Sequence, residues 1–345
     1  MKIAVLEPGA WGTTLGILLS RKGDEVSFWY ENSKLASSLS KQRENERLAG
    51  IKIPEKIFIS SDLSRVLENA DLILIASPSF NFRKTLLKLK KDDGFKSLPP
   101  LLGIAKGIEK ETLKLPSQIV EELLGNFPYA HLSGPGFARE IARGKKAKEV
   151  IASKDRSLLK KLKELFRVES LKVSFTPDLI GVELAGSLKN ALAIGISLVE
   201  ADIQPRRPEG SGLRLEASEN YKRLTKNLIN LGLKEMVRIG KAMGAKKETF
   251  FGPAGLEDLI LTSTNPLSRN FQFGKAILLD AEKMRRDIRE RKVTVEGFDN
   301  VFALHKLGKI YKLDLPMVNE IYKVIYKRIS PQKTVKNLIS LANEI

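Results

Sequence analysis

The chain predicts an α/β fold in two parts, a doubly wound parallel sheet over residues 1–177 and an all-helical domain over 178–345. Three observations carry that reading. Short β-branched or aliphatic runs recur at 3–6, 26–30, 57–60, 72–76, 101–105, 130–133, 150–152 and 171–175, separated by helical patterns. Such alternation builds a parallel sheet, because a parallel neighbour is reached through a crossover long enough to hold a helix. A glycine-containing turn follows the first run directly. After Thr176 and Pro177 the strand signal ends and long helical patterns take over.

The first run leads into Glu7, Pro8, Gly9, Ala10, Trp11 and Gly12, then a helical stretch from Thr13 to Lys22. Strand, glycine turn and helix in that order are the layout of a Rossmann-type dinucleotide site. Against the pattern G-x-G-x-x-G, Gly9 and Gly12 stand where backbone nears a pyrophosphate and where helix packs on strand, while Glu7 replaces the first glycine. A residue before proline is biased to extended geometry, so Glu7 is expected to prolong the strand. The N–H groups of Ala10 and Trp11 open the helix and can face a phosphate. Pro8 has no N–H to give, and a Glu7 carboxylate turned toward the cofactor would repel it, so binding weaker than an intact motif gives is expected. Glu31 follows the second run where an acid binds the ribose 2′-hydroxyl of NAD, which favours NAD, with Lys34 near enough to tolerate the 2′-phosphate of NADP.

Residues 83–91 and 158–165 have the spacing of amphipathic helices with wet basic faces. Segments of this kind spread the net charge of +18, from 59 Lys and Arg against 41 Asp and Glu. They carry no interleaved aromatics, so no nucleic-acid partner is expected, and the charge instead suits steering of small phosphorylated substrates. With 42% apolar and 29% charged residues in 345, the chain can bury two cores. The absence of Cys excludes disulfides, thiolate zinc sites and Cys nucleophiles, and abundant Lys and Glu without Cys suits a heat-adapted protein. No signal-peptide pattern opens the chain and no apolar run approaches the roughly eighteen residues that cross a bilayer, so a cytoplasmic protein without a membrane span is expected. Residues 204–214, rich in Pro, Gly and Arg, read as a loop or insertion within the helical half.

Lys189 and Asn190 interrupt an otherwise apolar helical run from Val182 to Val199. On a helix the neighbours of Lys189 are Ala185, Gly186, Leu192 and Ala193, so its ammonium lies on no solvated charged face. Two readings stay open. One is a structural lysine satisfied by a carboxylate such as Glu183. The other is an acid or base whose pKa is lowered among apolar groups, in a chain whose only histidines are His131 and His305. Lys106 lies just past the run 101–105, at the sheet edge where open parallel sheets hold ligands. Asp258 follows a glycine-containing turn, then come Thr262 and the polar segment Ser268, Arg269 and Asn270, whose arginine fork suits a phosphate. Singly, these also read as surface charge, helix cap and rim salt bridge.

Together these residues resemble the NAD(P)-dependent sn-glycerol-3-phosphate dehydrogenases. The resemblance runs through residues 9–13, 76–79, 106–108, 133–135 with Phe137 and Ala138, 188–190, 255–256 with 258–259, 268–270, 273–274 and 295–297. The longer segment between Asn190 and Gly232 looks more like the archaeal branch than the bacterial one. The resemblance implies reversible hydride transfer between NAD(P)H and dihydroxyacetone phosphate, giving sn-glycerol 3-phosphate for phospholipid synthesis or triose balance. Lys189 would be the proton donor and acceptor, with Lys106 and Asp258 as further catalytic residues. Lys106 and Asn190 would orient the substrate, Asp258 and Thr262 would position the lysine and the hydroxyl, and Arg269 and Asn270, with Ser268 beside them, would hold the phosphate. Gly9, Ala10, Trp11, Gly12, Lys106, Gly134, Ala138, Arg269 and Glu296 would join Glu31 on the cofactor. No metal is implied, and a homodimer is left open.

The departures from the family pattern are Glu7, Gly136 in place of Ser or Thr, Glu257 in place of glycine, and Thr294 in place of valine. In addition, Asn220, Tyr221 and Lys222 match the family's Asn-x-Lys only with a few extra residues before Leu231 and Gly232, the family's arginine having become Leu231. Competing readings are a β-hydroxyacid dehydrogenase or ketopantoate reductase on the same plan, and a catalytically silent dinucleotide-binding protein.

Overall fold

The computed structural model describes residues 1–91, 98–203, 214–290 and 292–344, so the expected loop at 204–214 lies, but for its last residue, outside the described residues. Two compact units emerge, one of residues 1–109 with 114–183 and one of 110–113 with 184–345.

The first unit is built on an eight-stranded sheet of order β3-β2-β1-β4-β5-β6-β7-β8. Its strands are β1 (Lys2–Leu6), β2 (Glu25–Trp29), β3 (Phe58–Ser60), β4 (Leu72–Ile75), β5 (Leu101–Gly103), β6 (Tyr129–Ser133), β7 (Ala147–Ala152) and β8 (Leu171–Thr176). Strands covered on both faces read as unbroken apolar runs, and all four residues of β4 are buried. The chain winds outward from β1 to β3, returns to β4 beside β1, and proceeds to β8. That reversal puts the turn after β1 at the switch point where such sheets bind ligands. The helix Ala10–Lys22 follows that turn and ends at Gly23, whose φ of +112° lies in the left-handed region.

The sheet is not wholly parallel, contrary to expectation: β7 runs antiparallel to β6. Between them stands only the five-residue helix Ala138–Ala142. At about 1.5 Å per residue such a helix rises roughly 7.5 Å, too little to carry the chain back along a strand of roughly 20 Å. The ten-residue helix Arg156–Leu165 then makes a full crossover, and β8 is parallel to β7.

The described residues of the second unit form helices and no strand. The helix Leu179–Ile203 carries Lys189 and Asn190. Its 25 residues are long and apolar enough by length and composition to cross a membrane, which corrects the expectation that no run approaches that size. Lys189 interrupts its apolar run. The most apolar window is 94% buried inside the protein, as a core helix requires.

Candidate active site

At the end of β1 the backbone turns sharply. Glu7 sits at φ +53°, in the left-handed region, and β1 stops at Leu6, so Glu7 does not prolong the strand as expected. Tertiary hydrogen bonds override the bias that proline imposes. The Glu7 N–H donates to the Trp29 carbonyl at 2.8 Å. The Pro8 carbonyl accepts from Tyr30 Oη at 3.0 Å, Asn45 Nδ2 at 3.3 Å and Thr13 Oγ1 at 3.3 Å. A non-glycine residue pays about 1–2 kcal/mol for such a conformation, which explains why glycine is usual there. Gly12 is required by packing, since a Cβ would lie 2.5 Å from the Ala76 side chain. Around Gly9 a Cβ would meet only Arg47 Nη1, at 3.5 Å. Room therefore exists at Gly9 for an anion, with an exposed guanidinium beside it.

The Glu7 side chain folds onto the end of β2, where its Oε1 accepts the Glu31 N–H at 2.6 Å. Burial pushes the Glu7 carboxyl above its usual range, against the opposing pull of that hydrogen bond. Glu31 meets Lys88 at 2.8 Å and Lys84 at 2.9 Å, and both lysines hold its carboxyl below the usual range. Glu7, Trp29, Glu31, Asn81, Lys84 and Lys88 line a pocket of about 300 Å³. Past β5, Lys106 Nζ donates to the Gly134 carbonyl at 3.0 Å, which joins two of the predicted site residues. Ala138 opens its short helix, and its carbonyl accepts from Thr14 Oγ1 at 3.1 Å. At Gly136 the family's side chain would need the tip of Ile141 to shift. A Cβ there would lie 2.7 Å from Ile141 Cδ1 and 3.3 Å from the Trp11 ring.

In the second unit Lys189 is held by two residues one helical turn apart. Its Nζ donates to Asp258 Oδ1 at 2.9 Å and to Thr262 Oγ1 at 2.8 Å. The helix Asp258–Thr264 puts positions 258 and 262 on one face, and Thr262 Oγ1 donates to Asp258 Oδ1 at 3.2 Å. Lys189 is 7% exposed and Asp258 2%, so the carboxylate that meets the lysine is sealed from water with it. A π-helical turn, Pro253–Glu257, delivers Asp258 to this position. Glu257 has φ −64° and ψ −42°, ordinary helical values that need no glycine.

Asn190 extends the arrangement. Its Nδ2 donates to Glu296 Oε2 at 3.3 Å, and its Oδ1 accepts from Asn270 Nδ2 at 2.8 Å. Asn270 Oδ1 accepts the Gly297 N–H at 3.1 Å. Gly297 is needed for this approach, because a Cβ would lie 2.4 Å from the Asn190 carbonyl oxygen. Arg269 is exposed and donates through Nη1 to the Thr294 carbonyl at 3.1 Å, a backbone contact indifferent to the exchange of valine for threonine. Ser268 caps the helix Arg269–Arg289 by accepting the Phe271 N–H at 3.2 Å. Asn220 and Lys222 are exposed, and Asn220 Oδ1 accepts from Arg223 at 3.4 Å.

Lys189, Asn190, Asp258, Thr262, Asn270 and Glu296 therefore form one connected set, with Arg269 adjacent in sequence to Asn270. Gly9 caps, and Ala10, Trp11 and Gly12 open, the helix Ala10–Lys22 of the first unit. Arg47 escaped sequence reasoning, and an isolated arginine in a 3-10 turn offers no pattern to find.

Known proteins resemble the chain over its length. A family model described as NAD-dependent glycerol-3-phosphate dehydrogenase N-terminus matches residues 2–159, and its C-terminal counterpart matches 178–336. Glycerol-3-phosphate dehydrogenase [NAD(P)+] of Hydrogenovibrio crunogenus is 37% identical over 342 residues, covering 98% of this chain and 95% of that protein. The protein of the same name from Thermoanaerobacter sp. is 32% identical, covering 99% and 97%. The crystal structure of glycerol-3-phosphate dehydrogenase from Coxiella burnetii superposes with a TM-score of 0.86 at 31% identity, over 98% of each chain.

Proposed function

The chain belongs to the NAD-dependent glycerol-3-phosphate dehydrogenase family, and from that premise we propose how its residues divide the work of the reaction. The protein is an oxidoreductase that interconverts dihydroxyacetone phosphate and sn-glycerol 3-phosphate with NAD(P)H. The bound nicotinamide supplies or accepts the hydride. The chain's own task is to bind the ketone, orient it and protonate its oxygen.

Lys189 gives the proton. A ketone is a poor electrophile until its oxygen is protonated or hydrogen-bonded, and a fixed ammonium in a water-poor site stabilises the developing alkoxide. Asp258 and Thr262 fix the direction of the Lys189 ammonium. Asn190, locked by Glu296 and Asn270, orients the substrate's hydroxyl. Arg269 offers an exposed planar fork for the phosphate, and Lys106 adds a second positive charge toward substrate and cofactor.

On the cofactor, Ala10 and Trp11 direct backbone N–H groups at the pyrophosphate, and the Arg47 guanidinium beside Gly9 reinforces them. Glu31 takes the ribose 2′-hydroxyl. Lys84 and Lys88, in the same pocket, supply the counter-charge that a 2′-phosphate needs, so NADPH is accepted with NADH preferred.

The observation that carries this reading is the sealed Lys189 ammonium between Asp258 and Thr262. The test is the loss of NADH absorbance with and without dihydroxyacetone phosphate, run with NADPH in parallel and at elevated temperature. Ketone-dependent consumption of NADH, faster than that of NADPH, is expected. Equal traces with and without the ketone would reject it.

A further inference from the structure

Much of the chain's positive charge is compensated where it stands. Lys84 and Lys88 meet Glu31, Arg83 meets Glu109 and Glu122, and Lys145 meets Glu140. One concavity in the second unit differs. Where the helix Glu296–Ile310 ends and the helix Pro316–Tyr326 packs beside it, a pocket of about 480 Å³ is lined by Lys309, Lys312, Lys323, Lys327, His305 and Tyr322, and by no carboxylate. Lys323 pairs with Glu320 at 2.5 Å. Among the described residues, Lys309, Lys312 and Lys327 form no salt bridge.

Lys312 adds an independent observation. The helix Glu296–Ile310 ends in a Schellman arrangement, with the Leu313 N–H bonded to the Gly308 carbonyl at 2.8 Å and the Lys312 N–H to the Lys309 carbonyl at 3.3 Å. The residue between must be left-handed, and Lys312 has φ +52°. Glycine is the usual occupant of that position, so a lysine holds strained backbone at the rim of a basic pocket.

We infer that this pocket binds a small, multiply charged phosphate anion. Lysine ammoniums are point charges with three rotatable donors each, suited to a ligand with many phosphate oxygens, and the volume lies in the ordinary range for small-ligand sites. His305 forms the rigid wall. Its ring stacks on Tyr322 at 3.7 Å and 11°, and its Nδ1 bonds Asn319 Oδ1 at 2.8 Å. Burial holds the His305 imidazole below its usual range, and Lys309, Lys306 and Lys327 push it the same way, while the Asn319 bond opposes them. An anion that screens those lysines raises it. The site uses none of the dehydrogenase residues and does not rest on their assignment.

The test uses inorganic pyrophosphate as the probe on the whole protein, with binding measured by calorimetry and the His305 ring followed by NMR. Of the two histidines, His131 is fully buried and held down to about 3, and only His305 lines the pocket. Pyrophosphate is expected to raise the His305 midpoint. The double variant Lys309→Gln with Lys327→Gln, which removes two ammoniums, is expected to bind at least about tenfold more weakly, with unchanged kcat and KM for dihydroxyacetone phosphate. Lys312→Gly is expected to raise the melting temperature while weakening pyrophosphate binding. An NaCl control of equal ionic strength that reproduces the His305 shift would overturn the inference. So would variants that keep wild-type pyrophosphate affinity.

Discussion

Lys189 and Glu31 are both charged side chains held by opposite charges, yet only one pair is shut away from water. The side chains of Lys189 and Asp258 are 9% and 2% exposed, whereas those of Glu31, Lys84 and Lys88 are 43%, 61% and 35% exposed. A surface pair contributes about 0–1 kcal/mol and exchanges readily, while breaking a buried pair costs about 3–5 kcal/mol because one charge is left stranded. The reacting end is thus fixed before substrate arrives. The nucleotide end holds groups that can let go of one another and take a ribose or a phosphate instead.

The harshest way to break that contrast is Asp258→Ala. It removes the buried carboxylate that meets the Lys189 ammonium, so a loss of about 3–5 kcal/mol is expected in a thermal or urea melt, together with loss of turnover. Losing no more stability than an exposed pair would supply would erase the distinction. Gly297→Ala attacks the same end through sterics. A methyl 2.4 Å from the Asn190 carbonyl oxygen must displace it, and a loss of about 1–3 kcal/mol with lower kcat is expected, read by melting and steady-state rates.

At the nucleotide end Glu7→Gly removes a left-handed non-glycine residue and a carboxylate near the cofactor. NADH is expected to bind several-fold tighter, by about 1 kcal/mol, with kcat little changed. Quenching of Trp11 and Trp29, the only tryptophans, measures this directly. Unaltered affinity would mean that Glu7 is neutral toward the cofactor.

A pH-dependent effect sharpens the meaning of burial. Glu183 is fully buried, accepts from Ser117 N at 2.8 Å and Ser117 Oγ at 2.5 Å, and its carboxyl is pushed up to about 8, chiefly by burial. Between the ordinary 4.5 and about 8 the folded chain holds a proton that the unfolded chain releases. This group's contribution to stability therefore falls as pH rises through that window. Glu183→Gln is expected to flatten the fall, and parallel wild-type and variant melts across the window would contradict the assignment.

Much of this was legible beforehand because burial leaves a compositional trace. The strand runs are apolar since the sheet is covered on both faces, and Lys189 is conspicuous because an apolar helix surrounds it. Its partner is harder to see. Asp258 lies 69 residues away, and nothing local ties the two together, so only the family resemblance named it. The direction of β7 depends on how much helix its connection can hold, which a run as short as 150–152 does not reveal. The conformation of Glu7 is set by Trp29, Tyr30 and Asn45, which reach the turn from elsewhere in the chain. Ser268, taken with the phosphate-binding segment, is placed as an N-cap, a role that a serine ahead of a long helical pattern also announces.

The central claim is that Lys189 delivers the proton, and Lys189→Met tests it most directly. Single-turnover loss of NADH absorbance on mixing with dihydroxyacetone phosphate is expected to slow by about 10²–10⁴, while NADH still quenches Trp11 and Trp29 with wild-type affinity. A variant that binds NADH and consumes it at the wild-type rate would contradict the claim.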